Sequence, residues 1–581
     1  MSKILNIKKV IKGNSSEVVY SEKDSNSPIP IATIRSHASY LSGGEEQLKN
    51  MSLKRDLKAR HVTMIAMGGA LGTGLVITSG SALASSGPAS TLIAFIIVGG
   101  IMCTVMSALG EMATYLPLPD GFAGYSSRFV DPCLGFAVGY SYWIKYMVLC
   151  PNQLTASALV IQYWVDSEKV NPGVWITIFL IAITFINYFG VKYFGEFEFW
   201  LSSIKIITVV GLILLLFIIM LGGGPTHDRL GFRYWKDPGS FKTYSETITG
   251  DKGRFVAFVS TLVSVVFSYL GTELVGVTVG ETQNPRRNVP RAIKLTFFRI
   301  LFFYIISVLL LGMCVPFNDK RLIFAASAGT SASASPFVVA IQNARIRVLP
   351  QIINAAILLF VFSASNSDMY IGSRTLYGLA VNGKAPKIFA RTNKNGVPIY
   401  ALGVSVLFCL LAYMNVSSSA KTIFIYFVNV VSMFGLLTWI SILVTHICFM
   451  RAVISQGYDR HSYLVWCAPF QPYASYVALF LCIIIAIFKN FTVFIGDFQY
   501  KTFITGYIGI PVYLLMLFGY KIFMKSKRVL PETADLYTFK DVIDNDEAIY
   551  LEKEAIRKEN LKNNKKKDLQ SVYEKFIGWL F

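Results

Sequence analysis

The stretch Ala66-Met-Gly-Gly-Ala-Leu-Gly-Thr-Gly-Leu75 places four glycines in the middle of the first long apolar segment of the chain. Each glycine costs roughly 1 kcal/mol in a helix interior relative to alanine. A helix that has to run unbroken across a membrane gains nothing from such a composition. We therefore interpret the stretch as an interruption of the first transmembrane helix, and as half of a binding site.

The composition of the whole chain indicates an all-α integral membrane protein. Of its 581 residues, 54% are hydrophobic, which is more than a soluble protein of this size normally contains. Apolar runs long enough to cross roughly 30 Å of hydrocarbon recur about a dozen times. Because backbone groups in lipid must find hydrogen-bond partners inside the protein, we expect these runs to be helices.

The hydrophobic pattern predicts twelve transmembrane helices between two polar tails. Residues 1–60 read as a mostly disordered N-terminal tail, 61–523 as the twelve-helix domain and 524–581 as a C-terminal tail. The predicted spans are 62–84, 90–116, 134–163, 174–190, 200–222, 256–279, 296–316, 350–379, 399–414, 422–449, 473–490 and 503–523.

The net charge of +20 fits a membrane protein better than a nucleic-acid-binding protein. The positive charge lies in the tails and short loops, as in residues 281–299, where five basic residues including Arg299 face one acid, Glu281. This distribution predicts cytoplasmic tails at both ends. The eight cysteines are scattered without a CxxC pair, and paired acids or clustered histidines are missing. We therefore expect no disulfide framework, metal, cofactor or enzymatic activity.

A second glycine interruption is predicted five spans after the first, in Phe267-Ser-Tyr-Leu-Gly-Thr-Glu-Leu-Val-Gly276. Gly271 and Gly276 divide an apolar segment there, and Glu273 stands between them. Glycines at this spacing also occur where two helices pack closely. Two interrupted spans in corresponding positions, one with a carboxylate, are typical of transporters built from inverted repeats.

Two interrupted helices at the membrane midplane provide the groups that an amino acid needs. The N-terminus of a half-helix offers free N–H donors and a partial positive charge for a carboxylate. Free carbonyl groups at the other interruption suit an ammonium group. The residues expected to line the substrate site around the two interruptions are Gly69, Ala70, Gly72, Thr73, Gly74, Phe267, Leu270 and Gly271.

Several segments resemble the fungal amino-acid permeases of the amino acid–polyamine–organocation superfamily, and among them the dicarboxylic amino acid carriers. The resemblance extends over about 54–545 and implies a 5+5 inverted repeat with broken helices 1 and 6, plus two further helices. It also implies proton symport of L-amino acids into the cell across the plasma membrane. The motifs are Gly68-Gly-Ala-Leu-Gly-Thr-Gly74, Leu109-Gly-Glu-Met-Ala113, Val191-Lys-Tyr-Phe-Gly-Glu-Phe-Glu-Phe-Trp200, Gly231-Phe-Arg-Tyr-Trp235, Gly271-Thr-Glu-Leu-Val-Gly276 and Asn284-Pro-Arg-Arg.

Two residues of the third span are expected to set the substrate range. A charged lysine such as Lys145 costs free energy inside the bilayer, so a function is expected for it: it would attract the side-chain carboxylate of glutamate or aspartate. It could instead pair with an acid such as Glu111, or extend its ammonium group to the membrane interface (snorkel). Similar carriers of cationic substrates tend to have Glu in the neighbourhood of Gln153. The neutral side chain of Gln153 therefore disfavours lysine and arginine as substrates. The sixth span resembles general and cationic permeases, which keeps that substrate range as an alternative.

Three residues are candidates for proton coupling: Glu273, Glu111 and Lys205. Glu273 could also brace the broken helix by a hydrogen bond, and Glu111 could form an interfacial salt bridge. In some superfamily members a lysine in the fifth span resembles a proton-carried replacement for a sodium ion, although Lys205 could also snorkel. The tail lysines are candidate sites for ubiquitin-dependent regulation. A non-transporting sensor of the same family would usually have a much longer tail.

Overall fold

Helices form all the regular structure that is described in the computed structural model, and no strand occurs among those residues. The described residues are 64, 72, 74–118, 121–165, 168–245, 247–274, 276, 279, 284–323, 335–416 and 420–563. They belong to one compact unit, Met51–Phe581. The predicted N-terminal tail 1–60 lies outside the described residues.

Proline begins many of these helices, because its fixed φ suits the first helical position and its missing N–H has no partner there anyway. A π-helical segment, Gly74–Thr78, comes first. The helices of the N-terminal half are α1 Ser79–Ser86, α2 Pro88–Tyr115, α3 Gly121–Phe129, α4 Pro132–Ile161, α5 Pro172–Tyr188, α6 Val191–Met220 and α7 Gly250–Tyr269.

The C-terminal half begins with one long helix in three parts: α8 Pro285–Arg299, a π-helical segment Ile300–Ile306, and α9 Ser307–Cys314. The other helices of this half are α10 Pro336–Asn343, α11 Leu349–Val381, α12 Ile399–Cys409, α13 Ala420–Ser455, α14 Arg460–Tyr463, α15 Tyr473–Ile487, α16 Tyr500–Tyr507, α17 Gly509–Met524 and α18 Lys540–Asn563.

Nine helices in the described residues are long and apolar enough to cross a membrane, and α5 and 399–414 form two shorter apolar helices. Together they coincide with the predicted spans two to twelve. Outward-facing apolar side chains are strongly exposed, as at Phe523 (88%), which is expected where lipid replaces water. The chain is therefore a multi-pass helical membrane protein.

The helix of the sixth predicted span is Gly250–Tyr269 rather than 256–279, and two other predicted spans begin well before the expected residue. The fifth span begins at Val191 rather than at 200, and the seventh at Pro285 rather than at 296. In both places charged residues, among them Glu198 and Arg299, make the first turns look like loops. The structure buries these two side chains within helices instead.

The described part of the predicted C-terminal tail, residues 525–563, packs against one end of the helical bundle. The backbone N–H of Val529 donates to the carbonyl oxygen of Val130 (2.9 Å). Farther along, Arg286 at the start of α8 pairs with Asp544 and with Glu547, 2.7 Å from the latter. These contacts join the C-terminal segment to the turn after α3 and to the start of α8.

Asp131 is the best-defined anchor at this end of the bundle. It caps α4 by accepting a hydrogen bond from the N–H of Cys133 (2.9 Å) and also accepts from Lys521 and Ser526. Burial alone would raise the pKa of Asp131, but these hydrogen bonds outweigh it and lower the pKa to about 2. The carboxylate thus holds the start of α4 and the end of α17 together.

Candidate functional site

The helix α7 stops at the glycine interruption in the sixth predicted span. Its last residue is Tyr269; Leu270 is extended (φ −65°, ψ 145°), and Gly271 has φ +92°. A side chain at Gly271 would be strained, since positive φ is costly for L-residues. The N–H of Gly271 donates to Glu273 Oε2 (3.2 Å), so the carboxylate folds back onto the interrupted backbone.

The first glycine stretch meets this interruption directly. Ser268 Oγ donates to the carbonyl oxygen of Gly74 (2.9 Å). A Cβ atom added to Gly74 would come within 2.6 Å of the Cα atom of Ser268, a distance at which the backbone itself must shift. Glycine is thus required at position 74 by a backbone-to-backbone approach. Gly74, at the end of the first glycine stretch, therefore lies directly against the last residues of α7.

Lys145 and Glu273 form an ion pair at this site. Lys145 Nζ donates to Glu273 Oε1, and the side chains of both residues are 0% exposed. The partner of Lys145 is therefore the acid of the interruption, rather than Glu111, which the sequence offered as one possibility. Because α4 carries Lys145, the pair links the middle of a long continuous helix to the broken one.

Two tyrosines of α4 surround the lysine. The Nζ atom lies 4.9 Å from the ring centroid of Tyr142 and 4.8 Å from that of Tyr146. Their hydroxyl groups are 3.2 Å apart. Cation–π contacts stabilise a cation when water is excluded, and they leave the ammonium group free to change its anionic partner. The surroundings of Lys145 thus suit a positive charge whose carboxylate can be exchanged.

Lys205 lies in a second buried cluster, on α6 and α11. Its Nζ is 3.5 Å from Oε1 of Glu198, which also accepts a hydrogen bond from Ser363 Oγ (2.7 Å). Glu198 was not a candidate from sequence, because the fifth span was predicted to begin after it. A search for acids seven residues before a membrane lysine would have found it, since this spacing puts both on one helix face.

Asp368 on α11 connects the two clusters electrostatically, since the charges of Lys145 and Lys205 both act on it. Among the described residues its Oδ2 atom has no hydrogen-bond partner, and the same is true of Oε2 of Glu198. Buried acceptors without partners are rare, and each calls for a ligand, a water or a proton. The two lysines therefore belong to one polar region in the interior of the bundle.

Glu111 occupies a different kind of environment. Its Oε1 accepts hydrogen bonds from Arg460 and from the N–H of Ala468 (2.7 Å), and its Oε2 lies 2.8 Å from His446 Nε2. Ser475 Oγ lies 3.1 Å from the other ring nitrogen of His446. This network ties α2 to α13, α14 and α15, whereas Lys145 is bonded to Glu273.

The remaining predicted residues are placed as follows. Phe267 packs edge-on against Phe424 with ring centroids 6.4 Å apart, and Gly72 faces the side chain of Ala364. Gln153 is buried on α4, about 12 Å along the helix from Lys145. Gly69, Ala70 and Thr73 lie outside the described residues.

The chain is similar to known proteins over most of its length. The family model described as "Amino acid permease" matches residues 61–530. The chain is 58% identical to the dicarboxylic amino acid permease of Saccharomyces cerevisiae, covering 97% of this chain and 91% of the relative. It is 40% identical to the proline-specific permease of Emericella nidulans (85% and 90% covered) and 40% identical to the lysine-specific permease of Saccharomyces cerevisiae (85% and 80% covered).

Proposed function

Because the chain belongs to the amino acid permease family, we propose that it is a plasma-membrane proton symporter that imports glutamate and aspartate, together with some small neutral amino acids. Its role as an amino-acid transporter follows from the family. The acidic substrates are supported by the relative at 58% identity, which is named for dicarboxylic amino acids. Coupling to protons and location in the plasma membrane are the further parts of the proposal.

The buried Lys145–Glu273 pair beside the interruption carries this proposal. Lys145 is the cation that a substrate carboxylate would seek, but in this state Glu273 occupies it. Protonation of Glu273 would free the lysine, and leaving a buried charge without a partner costs about 3–5 kcal/mol. An anionic substrate removes that cost when it replaces Glu273. Proton and acidic substrate would therefore enter together.

Lys205 and Glu111 remain in the proposal with different roles. Lys205 shares the polar region of Asp368, so we expect it to pass or stabilise charge near the site. Glu111 is held by three donors from three directions, and an anchored carboxylate has little freedom to take up and release a proton. We therefore favour Glu273 as the proton carrier.

A permease for cationic or general amino acids is the second candidate. It is supported by the 40% identity to a lysine-specific permease and by the resemblance of the sixth span to cationic carriers. A buried Lys145 next to the interruption opposes it, because a cationic side chain would meet a like charge. The neutral Gln153 opposes it as well.

Uptake of labelled glutamate, alanine and lysine by cells that lack their own amino-acid permeases distinguishes these candidates. We expect saturable uptake of glutamate, weaker uptake of alanine, and loss of accumulation when a protonophore collapses the pH gradient. Saturable lysine uptake without glutamate uptake would overturn the acidic assignment. Binding of glutamate by the purified protein without any uptake would indicate a sensor.

Replacement of Glu273 by Gln tests the proton carrier separately. E273Q should lose pH-driven accumulation but retain exchange of external for internal substrate, because exchange needs no net proton movement. The comparison requires equal amounts of variant and wild-type protein at the cell surface. Unchanged dependence of accumulation on external pH would remove Glu273 as the carrier.

A further inference from the structure

Arg299 carries a buried guanidinium group for which the described residues provide no hydrogen-bond partner. It is the last residue of α8, its side chain is 2% exposed, and it was counted among the loop charges from sequence alone. Among the described residues, none of its three nitrogen atoms Nε, Nη1 and Nη2 has a hydrogen-bond partner. By contrast, the buried Arg286 forms ion pairs with Asp544 and Glu547.

The surroundings of Arg299 connect it to the interruption of α7. Tyr269 and Tyr304 are among its electrostatic neighbours, and so are Cys103 and Glu273. The rings of the two tyrosines are stacked, with centroids 4.7 Å apart. Tyr269 is the last helical residue before the extended Leu270, so the charge of Arg299 acts on the broken end of α7.

None of these neighbours satisfies the guanidinium group. No acceptor atom of theirs lies within hydrogen-bond distance of the three guanidinium nitrogens, and Glu273 is bonded to Lys145 and Gly271 instead. An arginine side chain is always protonated in proteins and has five donors and no acceptor. A buried charge of this kind requires an anion, and its planar fork fits a carboxylate through two parallel hydrogen bonds.

The backbone around Arg299 is also unusual. A π-helical segment, Ile300–Ile306, begins at the next residue. Such wide turns are rare and are frequently found at functional sites. A headgroup of an anionic lipid is excluded as the partner, because a side chain that is 2% exposed does not face the bilayer. The anion must therefore reach Arg299 from inside the bundle.

We propose that Arg299 binds a carboxylate of the amino-acid substrate on its path between the interruption and the end of the bundle where the C-terminal segment docks. Pro285 precedes Arg286, which pairs with Glu547 of the C-terminal segment. Arg299 lies about 20 Å along the helix from Pro285. The ligand is either the α-carboxylate, common to all amino acids, or the side-chain carboxylate of acidic ones. This inference rests on the proposed function, because it takes an amino acid as the ligand.

The variants R299Q and R299K test the assignment in cells that lack their own permeases. R299Q should raise KM for glutamate about tenfold while Vmax per surface molecule changes little, because a charge-assisted hydrogen bond is lost in binding. R299K keeps the charge but not the fork, so its KM should lie between those of R299Q and wild type. The matched control is R254Q, which removes an exposed arginine that pairs with Asp251.

Alanine separates the two sources of the carboxylate. If KM rises for alanine as well as glutamate, Arg299 binds the α-carboxylate; if it rises for glutamate alone, Arg299 binds the side chain. Unchanged KM values, or a fall of Vmax alone for both substrates, would overturn the assignment. Absence of uptake by the wild-type chain would contradict the proposed function instead, which keeps the two failures distinct.

Chemical modification of the wild-type protein decides the case in which R299Q does not fold. Phenylglyoxal reacts with arginine, and peptide mass spectrometry can follow its reaction at Arg299 with exposed Arg254 as reference. We expect Arg299 to react and glutamate or alanine to slow the reaction. Reaction without protection by either amino acid would overturn the proposal. So would the absence of reaction at Arg299 after Arg254 has reacted fully.

Discussion

Glu273 and Glu111 are both fully buried carboxylates with cationic partners, but their surroundings differ in kind. Glu111 is reached by Arg460, His446 and a backbone N–H from separate elements. Glu273 has one lysine and the N–H of Gly271, two residues away on its own interrupted backbone. The first carboxylate joins elements that are held in place independently, whereas the second lies just after the end of α7, where the backbone turns through Gly271 at positive φ.

The difference indicates which buried charge can change partner during transport. A carboxylate held by several donors on separate helices can move only if the helices move with it. A carboxylate on an interrupted helix can turn away by local backbone rotation, and its lysine remains stabilised by the rings of Tyr142 and Tyr146. We infer that the Glu273 region is the exchangeable part of the charge network and the Glu111 region its fixed part.

The largest effect is expected from K145Q. Removing the lysine leaves Glu273 buried without its cation, which costs about 3–5 kcal/mol of stability. It also removes the expected partner of the substrate carboxylate, so glutamate uptake per folded molecule should fall roughly a hundredfold or more. Initial uptake rates per surface molecule measure it.

The double variant K145Q/E273Q controls for misfolding in this experiment. It removes both charges, so the unpaired carboxylate disappears and stability should recover, while glutamate uptake should stay low. Recovery of uptake in the double variant would show that Lys145 has no contact with substrate. The pair would then be structural, like that of Glu111.

E111Q should affect stability rather than transport. The neutral amide keeps part of the hydrogen bonding but loses the charge that Arg460 faces, at a cost of about 2 kcal/mol in the free energy of unfolding. The thermal midpoint of the purified protein should fall, while uptake per folded molecule stays within about twofold of wild type. A loss of pH-driven accumulation at normal stability would make Glu111 a proton carrier and reverse the comparison.

The sequence predicts the helical architecture well because apolar length and glycine content are local properties. Spans two to twelve and the glycine interruption at 271 could be located from them. The pairing of Lys145 with Glu273 could not, since the two residues are 128 positions apart and their contact depends on how α4 packs beside α7. Glu198 and Arg299 were missed for a related reason: a charged residue in the first turns of a span looks like part of a loop.

A pair of alanine substitutions tests whether the backbone contact at Gly74 maintains the exchangeable region. In G74A the new Cβ atom would meet backbone atoms of Phe267 and Ser268 at 3.1 Å or less, whereas in G72A the nearest atom among the described residues is the Cβ atom of Ala364 at 3.6 Å. We expect G74A to reduce glutamate uptake about tenfold through a shift of the interrupted backbone, which corresponds to about 1.4 kcal/mol. G72A should stay close to wild type.

Equal effects of the two substitutions would contradict the role of this contact. Both variants add one methyl group to the same glycine-rich stretch, so helix propensity changes in the same direction in each. Surface expression of both has to be matched before their uptake is compared.

The smallest effect is expected from D131N, which extends the comparison to a fixed carboxylate outside the membrane. The folded-state pKa of about 2 for Asp131 lies below the value of about 3.9 for an unfolded aspartate, so its ionised form stabilises the folded protein. That contribution is complete above about pH 4 and disappears as the pH falls toward 2. Asn can still cap α4, and only the charge is lost.

The thermal midpoint of D131N should therefore lie about 1–3 °C below that of wild type at pH 6. The difference should shrink between pH 4 and the lowest pH at which the protein stays folded. A difference that is constant over this range would mean that the ionised form of Asp131 does not cause it, and the absence of any difference at pH 6 would mean that Asp131 acts only as a helix cap.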